Sequence, residues 1–226
     1  MSGSARAVAL EVVRRVADDG AYSNLLLSSL LERSALGDRD RGLATELAYG
    51  TLRRLVSLDH ALAPLLRRPL SSASSEARAA LRLGAYQVLH TRIPAHAAVG
   101  ETVELVRERD RGFVNAVLRR LASGGPRSAP HGDEGIAVRT GLAAWAVREL
   151  RRLLGDEAEE AAAGLARQAP VAIRANPCRT SPEALEGSLW EAGLEVERGR
   201  LHPGSFRLRR GAPASLPGFR DGRFTI

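Results

Sequence analysis

No stretch restricts this chain more than Thr91–Leu121, TRIPAHAAVGETVELVRERDRGFVNAVLRRL. Pro94 disfavours helical backbone at Ile93, so one helix must end before it and another can start just after. Val99, Val103 and Val106 then recur at helical spacing with Thr102 beside them, leaving Glu101, Glu104 and Arg107 toward water. Asp110 suits the N-cap of a second helix, whose buried face reads Phe113, Val114, Val117, Leu118 and Leu121. Gly124 and Gly125 end it. Arg111, Asn115 and Arg119 lie four residues apart on another side, one above the other.

That polar stripe has two readings. One is a solvated helix face. The other is a surface for RNA, because guanidinium forks suit phosphate oxygens and a neutral amide can reach a base edge or a sugar hydroxyl. Periodicity fits both.

Upstream, Ser4 predicts a cap for a helix with Ala5, Val8, Ala9, Val12, Val13 and Val16 on its core side. Glu11 and Arg15 are spaced for an i,i+4 pair, whereas Arg6 and Arg14 have no visible partner. Asp18, Asp19 and Gly20 break this helix. Ser23–Arg33 is leucine-rich on several sides and reads as a largely buried second helix. Gly37 and Asp38 start a third, with Leu43, Leu47, Ala48, Leu52 and Leu55 inward and Gly50 placed for close approach by a neighbour. Its first turn holds Arg39 and Arg41, cations that oppose the helix dipole and so become candidates for a ligand. A fourth helix, capped by Ser57, is expected to about Leu66. Arg67, Arg68, Pro69 and the serine-rich SSASS then connect to a fifth from Glu76 to about His90, with Ala77, Leu81, Gly84 and Val88 inward. Residues 1–125 thus predict seven helices with short connections, a helical bundle.

Downstream, GGPRSAPHGDEG replaces periodicity with glycine, proline and polar residues and predicts a linker over 126–139. Thr140–Leu154 and Asp156–Gln168 read as helices. Asp156, Glu157, Glu159 and Glu160 suit the first turns of the second and read as a cap, not a metal site. Val171–Ala175, Leu194–Glu197 and Ser205–Arg209 read as strands around a helix at Pro182–Ala192, a small α+β unit that with the two helices makes up 140–226. Phe206 is the only strand aromatic before the end, so this sheet lacks the aromatic signature of sheet-based RNA readers. Arg223–Ile226 begins a strand with no visible partner. Cys178, the single cysteine, excludes an internal disulfide or a cysteine zinc cluster and reads as a small buried residue at a strand end.

Charge narrows the function classes. All 33 basic residues are arginine, against 26 acids, for a net charge of +7. Residues 1–125 hold 18 arginines and 13 acids, so most of the excess lies in the helical half. An arginine-only cationic surface favours phosphate, and genomic composition bias would produce it too. No apolar run approaches the ~18 residues of a membrane helix, and the expectation is a cytoplasmic protein.

IPAHAAVGETVEL followed by GFVNAVLRRL resembles the helical domain that opens the bacterial 16S rRNA cytosine methyltransferases of the Sun/Fmu type, the RsmB family. That domain is itself similar to the antitermination factor NusB. DRDRGLATELAYGTLRRLVSLDHAL resembles the same family's third helix, and PVAIRANP and LPGFRDGRFT resemble its second, smaller domain. The resemblance implies a mainly α chain: a NusB-like bundle in 1–125 that binds RNA, then an RNA-recognition-like α+β domain, stopping before a catalytic domain. In the family that last domain supplies a glycine-rich loop for S-adenosylmethionine and two cysteines that act on the pyrimidine. Those motifs are missing here, so the expectation is no catalytic residue, no cofactor site and no metal. The chain would position 16S rRNA, as a monomer and away from membranes. A free-standing antitermination factor binding RNA and a ribosomal protein is the alternative. The RNA-binding candidates are Arg39, Arg41, Arg53, Arg92, Arg111, Asn115, Arg119 and Arg120; Arg53 and Arg92 enter because they flank the best-matched motifs.

Overall fold

The structure is a computed structural model and describes residues 4–167, 169–208 and 216–226. The chain separates into two compact units, Met1–Ala166 and Arg167–Ile226.

The first unit opens with α1 (Ala5–Asp19), capped by the Ser4 hydroxyl, which accepts from the Ala7 N–H at 3.2 Å. Its apolar face is as expected, with Ala5, Val8, Ala9, Val12 and Val13 buried. The ion pairs differ by one residue. Glu11 takes Arg14 at 2.9 Å, Arg15 reaches Asp19 at 3.9 Å, and Arg6 donates to Gln87 at 2.7 Å and pairs with Glu101 at 2.5 Å. Helix α2 (Ser23–Glu32) is not largely buried. It contacts only α1 and the following helix to any extent, so Leu27 and Leu31 are covered while Tyr22 and Leu25 face water.

Helices α3 (Asp38–Arg53), α4 (Leu55–Leu62), α5 (Ser75–His90), α6 (Ala95–Val103) and α7 (Glu108–Gly124) complete the bundle. Its centre is α5, which packs on α1, α3, α4, α6 and α7. The sequence ARAALRLGAYQ allows this because small residues let five neighbours approach. A Cβ at Gly84 would overlap Leu118, and one at Gly50 would overlap the Tyr86 ring. One polar cluster is buried here: the Gln87 amide donates to Thr102 at 3.0 Å, and Thr102 donates to the Ala98 carbonyl at 2.6 Å. With Arg6 on its oxygen, the amide is satisfied, as burial requires.

Two expected caps are corrected. Helix α4 begins at Leu55, so Ser57 lies inside it and donates to the Val138 carbonyl at 2.6 Å. Helix α7 begins at Glu108 with Arg107 as N-cap, and Asp110 instead accepts the Ser74 hydroxyl at 2.9 Å. Ser74 caps α5 through the Ala77 N–H.

The stretch expected as a linker contains helix α8 (Gly132–Thr140). Gly141, at φ 81°, ends it, and the helix expected from Thr140 begins four residues later as α9 (Ala144–Leu154). A 3-10 turn at Gly155–Glu157 leads into α10 (Ala158–Ala166); Gln168 lies outside the described residues. Ile136, Ala137, Val147 and Ala162 form a second core, with Val56 of α4 packed against it. Tertiary contact with α4 makes a helix where local periodicity is weak. Trp145 on α9 is 69% exposed.

The second unit holds β1 (Val171–Ala175), α11 (Pro182–Glu191), β2 (Val196–Arg198), β3 (Ser205–Leu208) and β4 (Phe224–Thr225). They form an antiparallel sheet in the order β2-β3-β1-β4. Alternation along β1 sends Ile173 and Ala175 into the core with Phe206, Leu185 and Leu189, and turns Ala172 and Arg174 outward. Phe206 is fully buried. Trp190 on α11 is 60% exposed. The expected strand at Arg209 lies outside the described residues at that position, and β2 falls two residues later than its expected start. The last strand does have a partner: Thr225 faces Arg174 and Phe224 faces Ala175, with Asn176 donating to the Gly222 carbonyl at 2.8 Å. Cys178 is exposed in the turn after β1, its N–H bonded to Asn176, and not buried as expected.

Candidate nucleic-acid interface

The eight candidate residues divide by what their side chains already hold. Arg41 donates to the Leu31 carbonyl at 2.7 Å and so satisfies the end of α2. Arg111 donates to the Val106 carbonyl at 3.2 Å and to Glu108 at 2.8 Å, tying the start of α7 to the turn before it. Arg119 donates to the Asn115 carboxamide oxygen at 3.0 Å, which leaves the Asn115 amide nitrogen as a donor with no hydrogen-bond partner among the described residues. Arg120 donates to the Leu65 carbonyl at 3.2 Å. Arg39, Arg53 and Arg92 are exposed.

The structure brings Arg111, Asn115 and Arg119 together on one flank of α7. It sets Arg120 on the other flank, roughly 140° around the helix from Asn115. There α7 and the connection from Leu65 to Ala73 enclose a groove of about 570 Å³. Arg67, Arg68, Arg120 and Phe113 line it, with Asp110 the one carboxylate among the lining residues. Phe113 was expected in the core, but 41% of it is exposed, and it lines this groove across from the Leu65–Ala73 connection. Arg67 and Arg68 make no hydrogen bond or ion pair among the described residues. Cations beside an exposed aromatic ring form a surface on which an unpaired base stacks while its phosphates are held.

The loop is anchored at its far end. Arg78 donates to the Ala73 carbonyl at 2.9 Å and pairs with Asp18 at 2.8 Å, and the Ser75 hydroxyl also bonds Asp18. Burial opposes ionisation of Asp18, but the hydrogen bonds from Ser75 and Arg78, helped by the charges of Arg78 and Arg82, hold it below the usual carboxylate range. Sequence reading passed over Arg67, Arg68 and Phe113. An arginine pair without a neighbouring acid, ahead of a serine-rich connection, was the available signal.

Other chemistry finds little support in side-chain placement. Among the described residues no cluster of His, Cys, Asp and Glu is arranged to hold a metal. Glu159 of the acidic cluster pairs with Arg139 at 2.6 Å.

A helical bundle followed by a small antiparallel sheet with one helix defines a two-part chain, helical and ferredoxin-like. The family described as NusB matches residues 3–123, and the ferredoxin-like domain of RsmF/B-like methyltransferases matches 142–215. The chain belongs to the NusB family. It is 33% identical over 232 residues to the probable ribosomal RNA small subunit methyltransferase B of Bacillus subtilis, covering 99% of this chain and 52% of that protein. The ribosomal RNA small subunit methyltransferase B of Thermus thermophilus is 43% identical over 195 residues, covering 84% and 46%. The chain therefore spans about half the length of the curated relatives it matches. The crystal structure of PH0851 superimposes over 100% of this chain and 53% of its own, with a TM-score of 0.74 at 16% identity, a likeness of fold. The second family match starts at 142, so it takes in α9 and α10, which pack within the first compact unit.

The relatives' names imply a methyl donor. Among the described residues, the turn after β1 does not form a cradle for S-adenosylmethionine: β1 runs into Asn176–Thr180, closed by N–H groups of Arg179 and Thr180 on the Asn176 carbonyl. No glycine-rich loop leads from that strand into α11.

Proposed function

We propose that this chain is the RNA-engaging part of a 16S rRNA 5-methylcytosine methyltransferase, with residues 1–125 holding rRNA and the groove beside α7 as the principal contact. The observation that carries this reading is the unpaired Arg67 and Arg68 beside the exposed Phe113, on the most cationic part of the chain. The names of the relatives support the substrate class. The ferredoxin-like unit favours this reading over a free-standing antitermination factor, which has a helical domain alone. Arg39, Arg53, Arg92 and the Arg111–Asn115–Arg119 flank extend the contact along phosphates. The whole enzyme uses S-adenosylmethionine through residues outside this chain and works in the cytoplasm as a monomer.

Fluorescence anisotropy with a 16S rRNA hairpin tests this. If about five phosphates are neutralised, binding weakens roughly 100-fold between 50 and 200 mM salt. Arg67→Glu with Arg68→Glu should weaken binding and flatten that slope, with folding intact by circular dichroism. Wild-type affinity in that double variant would remove the groove from the interface.

A further inference from the structure

The first unit has a further cavity at the opposite end of α7 from its N-terminal turn. About 450 Å³ in volume, it lies between α4, α5, the last turn of α7, α8 and residues 125–130. Its floor is apolar, from Ala61, Val88 and Leu121. Two imidazoles stand in its wall. His60 Nε2 is 3.2 Å from the Ser128 carbonyl, so that nitrogen donates. His90 sits with its ring 5.7 Å from that of Tyr86, and burial, with Arg54 nearby, pushes it below the ordinary imidazole range, so it is neutral at pH 7. Arg127 and Arg139 stand at the rim, and no carboxylate is among the lining residues. Arg139 is occupied by Glu159, whereas Arg127 is exposed with no hydrogen bond or ion pair among the described residues.

We propose that this cavity binds one nucleotide, its base inside and its phosphate at Arg127. The chemistry is complementary at each level. An apolar floor accepts the faces of a heteroaromatic ring, and the two imidazole rings offer hydrogen-bonding nitrogens to its edge. The guanidinium at the mouth suits a phosphate, and the absence of a lining carboxylate removes the repulsion an anion would meet. The volume admits a single nucleotide and excludes a duplex. An unpaired residue of an RNA strand and a free mononucleotide share this chemistry. The RNA-strand source rests on the RNA-binding reading above; the free-nucleotide source does not.

The test uses 2-aminopurine riboside 5′-monophosphate and a single-stranded RNA oligonucleotide carrying one 2-aminopurine. Saturable change in 2-aminopurine emission is expected on titration with the full chain. Ala122→Trp places an indole across the mouth from an exposed position on α7, and Arg127→Ala removes the phosphate partner. Each should weaken binding about tenfold, the scale of one lost stacking or ionic contact. If Ala122→Trp perturbs the fold by circular dichroism, Arg127→Ala decides. A response to the oligonucleotide identifies an RNA residue as the ligand, and a response to the monophosphate alone identifies a free nucleotide; both uphold the site. No saturable response to either probe, or equal affinity in the variants, overturns it. The Arg67→Glu, Arg68→Glu protein should keep its monophosphate response, so the groove and the cavity fail independently.

Discussion

A methyl group added at Gly50 would fall within the Tyr86 ring, and that ring is not free to swing away, because its hydroxyl donates to Glu46 at 2.6 Å. Gly50→Ala is therefore expected to destabilise the protein by about 1–3 kcal/mol, the usual cost of overpacking. An unchanged urea midpoint would mean that α3 and α5 part without strain. Asp18 gives a pH-dependent counterpart. Its folded pKa lies below its ordinary value of 3.8, so its contribution is complete above that value and is lost as pH falls through the lower folded one. Acid unfolding of Asp18→Asn should consequently be less steep than that of the wild type in this window; superimposable profiles would show that Asp18 contributes nothing. At this scale the sequence was legible where a residue answers to its own neighbours. Ser4 caps across three positions and was readable. Asp110 meets Ser74, 36 residues away, and Arg41 meets a carbonyl of another helix, so their roles emerge only on folding.

Elements show the same division. Apolar periodicity located α1, α3 and α5 to within about two residues, because each buries one continuous face, and missed one boundary of α6 and of α7 by three. It failed for α8, whose Ile136 and Ala137 are buried by α4 rather than announced by a repeat. The candidate site was legible only in part for a related reason. Stripes on helices can be read from spacing, and Asn115 with Arg119 is such a stripe. Arg67 and Arg68 lie in a loop, where no period marks which side faces a groove. The position of α8–α10 also changes what proteolysis should yield. Residues 125–130 are non-helical and 125–128 are exposed, yet the helices after them pack back on α4. Nicking there should leave the pieces associated, and the stable trimmed product should end near Arg167. A free fragment ending near Gly125, separated from α8–α10 without denaturant, would contradict this packing.

For the whole molecule, the proposed division is RNA contact within this chain and methyl-donor binding elsewhere, since among the described residues no glycine-rich loop follows β1. Isothermal titration with S-adenosylmethionine should show no saturable heat, and tritium transfer to 16S rRNA should stay at background. Turnover by this chain alone would overturn the division of labour proposed here. One further consequence follows from where the two tryptophans lie. Trp145 is 69% exposed in the first unit and Trp190 is 60% exposed in the second. Their indoles already emit from water in the native state, so the usual red shift on denaturation will be small for both units. Intrinsic emission excited at the indole band would make a folded sample look melted. Far-ultraviolet ellipticity will follow the helices faithfully, and a tryptophan introduced beside the buried Phe206 would supply the optical reporter that nature left out of the second unit.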